Sequence, residues 1–252
     1  DNGESPLSDT ALVTISLQDV WEAPVSGVYK IGEDLVVQGT AANDVVYIWS
    51  GSSNAQVFVW MNDVFYGANL MSAQGHVRVF GSHGNDRIFA TDTRFPMTIL
   101  GEGGHDQISG GAADDMLDGG EGVDRLNGNS GNDLIRGGDG DDFLFGQAGN
   151  DILLGGNGND YLEGDLGRDL MIGGAGRDYM KGGAGDDLII GGLTSYDQDN
   201  NALAAVQATW NGTAGPAQRL NLLRNGNPSG IRLVWGETVH EDGIADIICG
   251  GD

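Results

Sequence analysis

The sequence predicts an all-β fold, a parallel β-roll in which two nine-residue rows complete each coil. Residues 101–190 divide without a gap into ten nonapeptides: GEGGHDQIS, GGAADDMLD, GGEGVDRLN, GNSGNDLIR, GGDGDDFLF, GQAGNDILL, GGNGNDYLE, GDLGRDLMI, GGAGRDYMK and GGAGDDLII. Position 1 is Gly in every row and position 6 is Asp in every row; position 4 is Gly except at Ala113, and position 8 is always Ile, Leu or Met. Gly accounts for 45 of 252 residues and Pro for 5, which suits a repeating turn and excludes collagen-like or proline-rich chains.

Charge narrows the partners. With 37 acidic against 12 basic side chains the net charge is −25, so the chain repels nucleic acid and anionic lipid and attracts cations. A hydrophobic share of 39%, in short and evenly spaced clusters, argues against disorder. Cys249 is the one cysteine, so no internal disulfide can form. No apolar run approaches the ~20 residues of a membrane span, and the opening DNGESPLSDT is neither basic nor apolar enough for a signal peptide. The first residue is not Met and the last lies inside a repeat, so a fragment of something longer is expected.

Ahead of the rows, residues 1–24 (DNGESPLSDTALVTISLQDVWEAP) resemble the last strand of a cadherin-like extracellular repeat with its linker, QDVWEAP standing for a DVNEAP-type sequence. Residues 36–100 are expected to form irregular β coils or hairpins that cap the roll, because an open coil exposes its core and a sheet edge. The runs VVYIW, QVFVWM and HVRVF alternate as strands do, and GTAANDVVY (39–47) keeps Gly39, Asp44 and Val46 in phase. GSHGNDRIF (81–89) matches at Gly81, Gly84, Asp86 and Ile88, eleven residues before Gly101, and Asp86 is expected to cap one file of aspartates.

Within 101–192 each column has a physical reason. Gly at positions 1 and 4, and at position 2 in six rows, permits positive φ and close backbone approach, so the first six residues are expected to turn with carbonyls toward a common point. Position 8 faces inward from a short strand. Ile108, Leu126, Leu144, Leu162 and Met180 should stack as one apolar ladder, and Leu117, Ile135, Leu153, Met171 and Ile189 as the other.

With 18 residues per coil, the position-6 aspartates fall into two columns: Asp106, Asp124, Asp142, Asp160, Asp178 and Asp115, Asp133, Asp151, Asp169, Asp187. Carboxylates one strand spacing apart repel by about 3 kcal/mol at an effective dielectric near 20. A thin core does not tolerate that unless cations intervene. Ca²⁺ accepts a flexible cage of carboxylate and carbonyl oxygens, whereas Mg²⁺ keeps its waters. The 16 Asp and 3 Glu against 4 Arg and 1 Lys in residues 101–190 leave −14, and eight ions in the gaps of the two columns would offset it.

These rows resemble the haemolysin-type or RTX calcium-binding repeat, GGxGxDxUx, over 90 contiguous residues. The resemblance implies a right-handed parallel β-roll, type I secretion, little order at low calcium and folding outside the cell. It also implies that each ion sits between position-6 aspartates of adjacent coils and loop carbonyls. Those carbonyls fall on the glycines of position 4 (Gly104, Gly122, Gly131, Gly140, Gly149, Gly158, Gly167, Gly176, Gly185) and of position 1 (Gly119, Gly128, Gly137, Gly146, Gly155, Gly164, Gly173, Gly182). Ala113, and Arg168 and Arg177 at position 5, depart from the pattern.

After Gly192 the period breaks. Residues 193–230 read as a helical insertion: a helix capped by Asn200 or Asn201 with Leu203, Val206 and Trp210 on one face, and a second opened by Pro216 with Leu220 and Leu223. Residues 231–252 read as a strand, IRLVW, followed by a resumed and truncated repeat with Asp246 at position 6, Ile248 at position 8 and Gly250 at position 1. Every even row carries an apolar position 7 (Met116, Leu134, Ile152, Leu170, Leu188), joined by Leu154, Ile172 and Ile190 at position 9. Such a stripe calls for a cover: the helical insertion is expected to supply it through Leu203, Trp210 and Leu220, the rival being a neighbouring domain or chain.

Catalytic constellations are absent from the sequence. His240-Glu241-Asp242 lacks the second His of HExxH, no GxSxG elbow occurs, and the four histidines have no ligand spacing. Position 3 carries no Thr, against an ice-binding rank. The reading is a non-enzymatic calcium-binding module of a secreted or cell-surface, adhesin-like protein with a protein or cell-surface ligand. The alternative is the secretion and folding module of a hydrolase whose catalytic domain lies upstream.

Overall fold

The computed structural model describes residues 26–51, 56–70, 75–91, 93–229, 231–233, 239–240 and 247–249; the cadherin-like stretch 1–24 lies outside them. The chain winds as a β-solenoid of two sheets. One runs, in spatial order, through Gly27–Ile31, Asp34–Gln38, Val77–Phe80, Met97–Gly103, Met116–Glu121, Leu134–Asp139, Ile152–Asn157, Leu170–Ala175 and Leu188–Ile190. The other runs through Val64–Leu70, Gln56–Met61, Val45–Ser50, Arg87–Thr91, Gln107–Ser109, Arg125–Ser130, Phe143–Ala148, Tyr161–Leu166, Tyr179–Ala184 and Ile247–Cys249.

Successive repeat rows alternate between the sheets, so each strand pairs in parallel with the strand 18 residues on. Leu117 pairs with Ile135 and Ile135 with Leu153, and Leu126 with Leu144 and Leu144 with Leu162. The position-8 side chains of both sheets form one buried cluster, with Ile189 half-buried at its end. A single inward residue per strand suffices because the facing ladder fills the remaining space.

In most rows only positions 4 to 6 turn, fewer than the six residues expected; in the row 110–118 the strand does not resume until Met116. A strand such as Leu134–Asp139 runs from position 7 through position 3 of the next row, because position 1 stays extended and position 2 is a local left-handed kink within the strand. That kink is filled by Gly138 (φ 114°) in one row, yet by Asn129 (φ 73°) or Gln147 (φ 71°) in others.

The first coils close the roll with hairpins. Gly27–Ile31 pairs antiparallel with Asp34–Gln38, and Val45–Ser50, Gln56–Met61 and Val64–Leu70 form an antiparallel meander. On its outer face Tyr47 stacks between Trp60 and Phe89, each centroid pair 5.6 Å apart, as cross-strand aromatic pairs do. The eleven residues between the isolated match and Gly101 are a half coil two residues longer than a nonapeptide. They put Ile99 in line with Leu117 and let Ile88 pair with Ile108.

Beyond the rows, α1 (Asn200–Trp210) and α2 (Pro216–Asn225) lie against the first sheet. Ile152, Leu154, Leu170, Ile172 and Ile190 share a second buried cluster with Leu203, Val206, Trp210 and Leu223. The apolar stripe is therefore covered from Leu134 to Ile190, with Met116 outside the cluster. Three details differ from the sequence reading. Asp199, not Asn200 or Asn201, caps α1, its extended backbone letting the carboxylate accept the Asn201 and Ala202 N–H groups. Leu220 is exposed, since the buried face of α2 is the i, i+4 pair Arg219 and Leu223. Residues 231–233 form no strand, Ile231 and Leu233 packing as loop side chains on the second cluster. Residues 234–235, Asp246 and Gly250 lie outside the described part, but the backbone of Ile247–Cys249 joins the second sheet with Ile248 opposite Met180.

Candidate metal centre

Each turn places its position-6 Asp where strand begins, and the fixed coil spacing stacks these residues in two files. All the described position-6 aspartates up to Asp178 are at most 3% exposed; Asp187, at the last row, is half-buried. Every carboxylate reaches toward the coil before it. The Asp124 N–H donates to Asp142 Oδ1 and the Asp142 N–H to Asp160 Oδ1, both at 2.8 Å. In the other file Asp115 donates to Asp133, Asp133 to Asp151 and Asp151 to Asp169 at the same distance.

The second oxygen is left over. Oδ2 of Asp86, Asp106, Asp124, Asp133, Asp142, Asp151, Asp160 and Asp169 is buried without any hydrogen-bond partner. Such acceptors are rare in folded proteins and call for an explanation. Each faces a second acceptor. A Cβ built on Gly146 would sit 2.5 Å from Asp151 Oδ2 and 2.9 Å from the Gly164 carbonyl oxygen; on Gly137 it would meet Asp142 Oδ2 and, at 2.5 Å, the Gly155 carbonyl oxygen. Two oxygens converge on one point with no donor between them, at separations close to Ca–O bond lengths of about 2.3–2.6 Å. This is why position 1 is always Gly: a side chain would occupy the convergence point. The residues fit a hard cation.

Burial acts on these carboxyls as it acts on any charge removed from water. It raises Asp133 and Asp142 to about 8, with neighbouring aspartates adding to the shift. Asp86, Asp151, Asp160 and Asp169 rise to about 7, and Asp115 and Asp124 to about 6, again chiefly through burial. Without a cation these groups hold protons that an ordinary carboxyl has lost.

Position 4 is held for a different reason. Gly104, Gly122, Gly131, Gly140, Gly149, Gly158, Gly167, Gly176 and Gly185 have φ between 124° and 153°, and a Cβ on any of them would overlap the preceding coil, as on Gly140 it would meet the Gly122 carbonyl oxygen. Gly140→Ala is expected to raise the calcium concentration at the folding midpoint about tenfold, from backbone strain of roughly 1–3 kcal/mol. Circular dichroism during a calcium titration checks it, and an unchanged midpoint would remove the steric role.

Among the described residues no three His, Cys, Asp or Glu side chains converge, so carbonyls must supply part of any cation shell. The family model of the RTX calcium-binding nonapeptide repeat (4 copies) matches residues 98–126, 127–162 and 163–194. These residues are RTX calcium-binding repeats. No curated protein and no solved structure matches the chain. Calcium is thus the ligand expected of the RTX roll, which is a structural rather than catalytic fold.

The RTX roll contains features that sequence reasoning missed. Column one, expected to be capped by Asp86, runs through it to Asp44: Asp86 N–H donates to Asp106 Oδ1 and Asp44 N–H to Asp86 Oδ1, each at 2.7 Å. There it stops, because Asp44 is saturated by the Thr40 N–H, the Thr40 hydroxyl and the Asn62 amide. Column two ends at Met97, whose N–H donates to Asp115 Oδ1 at 2.8 Å from the place an Asp would hold. A second ladder runs outside the first. Position-5 acceptors take the N–H of position 5 one coil later: Asp114 from Asn132, Asn132 from Asn150, Asn150 from Arg168 and Asn159 from Arg177. The signal was present as Asn, Asp or His at most position-5 sites.

Proposed function

We propose that the protein is a calcium-dependent folding module. Asp86 and the position-6 aspartates from Asp106 to Asp187 serve as carboxylate ligands, and glycine carbonyls of positions 1 and 4 complete the shells. The observation that carries this reading is the row of buried, unpartnered Oδ2 atoms, each aimed at a carbonyl of the next coil. Bound calcium supplies the charge that lets both files ionise inside a thin core; the chain's part is to hold the oxygens at fixed spacing and keep water out. Residues 36–100 act as the cap of the first coils, and residues 193–230 as a cover for the apolar face of the first sheet.

The resemblance to RTX proteins supports export by a type I secretion system and folding outside the cell, where calcium is abundant. The cadherin-like sequence at residues 1–24 supports an adhesin-like, surface or secreted parent that meets a protein or cell-surface ligand. Circular dichroism tests the core of the reading. A β-rich transition is expected with calcium, little with equal magnesium, and reversal with chelator. A chain equally folded in chelator would sink it.

A further inference from the structure

The outer ladder has a break that the helical cover repairs. In column two the position-5 link passes from Asp114 through Asn132 and Asn150 to the Arg168 N–H, each side chain accepting from the following coil. Arg168 has no acceptor to offer, so it cannot continue the link to the Asp186 N–H. The last two loops of the column, Gly167–Asp169 and Gly185–Asp187, therefore lack the tie that aligns the earlier ones.

The cover reaches both of these loops. Gln207 Nε2 donates to the Arg168 carbonyl and Trp210 Nε1 to the Asp186 carbonyl, each at 2.5 Å. The buried Arg219 binds Asp186 Oδ2 at 2.6 Å through Nη2 and the Trp210 carbonyl at 2.7 Å through Nη1, and it stacks on the Trp210 ring. The Arg168 guanidinium donates through Nη1 to the Asn211 and Gly212 carbonyls, where the negative end of the α1 dipole favours it.

We infer that Gln207, Trp210 and Arg219 are positioning residues for calcium: the helical cover aligns the last pair of column-two loops, between Asp169 and Asp187, in place of the missing position-5 acceptor. The inference rests on the calcium reading above and deepens it. It makes the two columns unequal, because both tethered loops belong to column two.

Hydrogen exchange measured by mass spectrometry along a calcium titration tests this in the whole chain. Gln207→Met with Trp210→Phe removes both donors and keeps the apolar contacts of α1. The calcium midpoint for protection of residues 185–187 is expected to rise about tenfold, while that of residues 140–142 in column one stays put. Adding Arg168→Asn restores an acceptor for the Asp186 N–H and should bring the midpoint back. A midpoint at 185–187 equal to wild type, an equal rise in both columns, or no recovery with Arg168→Asn would each overturn the inference. Should the double variant release α1 even at saturating calcium, the Arg168→Asn triple variant decides on the same criterion. Wild-type loops protected equally in chelator would instead defeat the calcium reading itself, and the inference with it.

Discussion

Replacing Asp142 and Asp151 together by Ala is expected to abolish the calcium-induced β transition. Each lies mid-column, one in each file, and each carboxylate serves two coils. Asp142 accepts the Asp124 N–H through Oδ1 and presents Oδ2 to the gap shared with the next coil. Its loss leaves a buried N–H unpaired, costing about 1–3 kcal/mol, and takes a ligand from the ions beside it. The same holds at Asp151, which accepts from Asp133. Because coils contact only their neighbours, a fault in both columns at mid-length divides the roll into short stacks, and short stacks of repeats are marginal. Asp142→Asn with Asp151→Asn separates the two effects: the amide oxygen still accepts the N–H, but the charge is gone. Both double variants should lack the transition at calcium levels that saturate wild type. Retention by the Ala variant of the wild-type midpoint would show that these side chains hold no ion.

Much of this was legible from a single sequence because a repeat projects each structural requirement onto a column. Invariant Gly at position 1 marks the point where two oxygens converge, and invariant Asp at position 6 supplies one of them. The apolar position 8 fixed register, since any slip would turn Leu153 or Leu162 out of the core. The parts that escaped lie where one residue departs from a column or where partners are remote in sequence. Asp44 carries the repeat's local pattern with Gly39 and Val46, but it lies 42 residues before Asp86, behind an inserted hairpin, so its place at the end of column one could not be counted off in nonapeptides. Met97 ends column two 18 residues before Asp115, in phase with the rows, but Met at position 6 and Phe95 at position 4 hide it from a search for the repeat. The burial of Leu223 rather than Leu220 depended on how α2 settles on α1, which its own weak apolar pattern leaves open. The role of Arg168 needed the cover to be in place before its missing acceptor could mean anything.

Acid should oppose calcium and, in its absence, favour the fold. Burial raises the column carboxyls from their ordinary value near 3.8 to about 6 at Asp115 and Asp124, about 7 at Asp151, Asp160 and Asp169, and about 8 at Asp133 and Asp142. A carboxyl whose pKa is higher folded than unfolded stabilises the fold fully below its unfolded pKa, and that stability is lost as pH rises through the folded value. The chelated chain is therefore expected to gain β structure as pH falls from 8 toward 5. With calcium the direction reverses, because the ion displaces those protons. Between pH 8 and 6 the calcium midpoint should rise by about tenfold per pH unit for each proton displaced per ion. Calorimetry at pH 7 in buffers of different ionisation enthalpy should register proton release on calcium binding. A midpoint that does not move across that range, with no proton released, would mean that the column carboxyls are already ionised in the metal-free chain. Burial would then no longer be what makes the cation necessary.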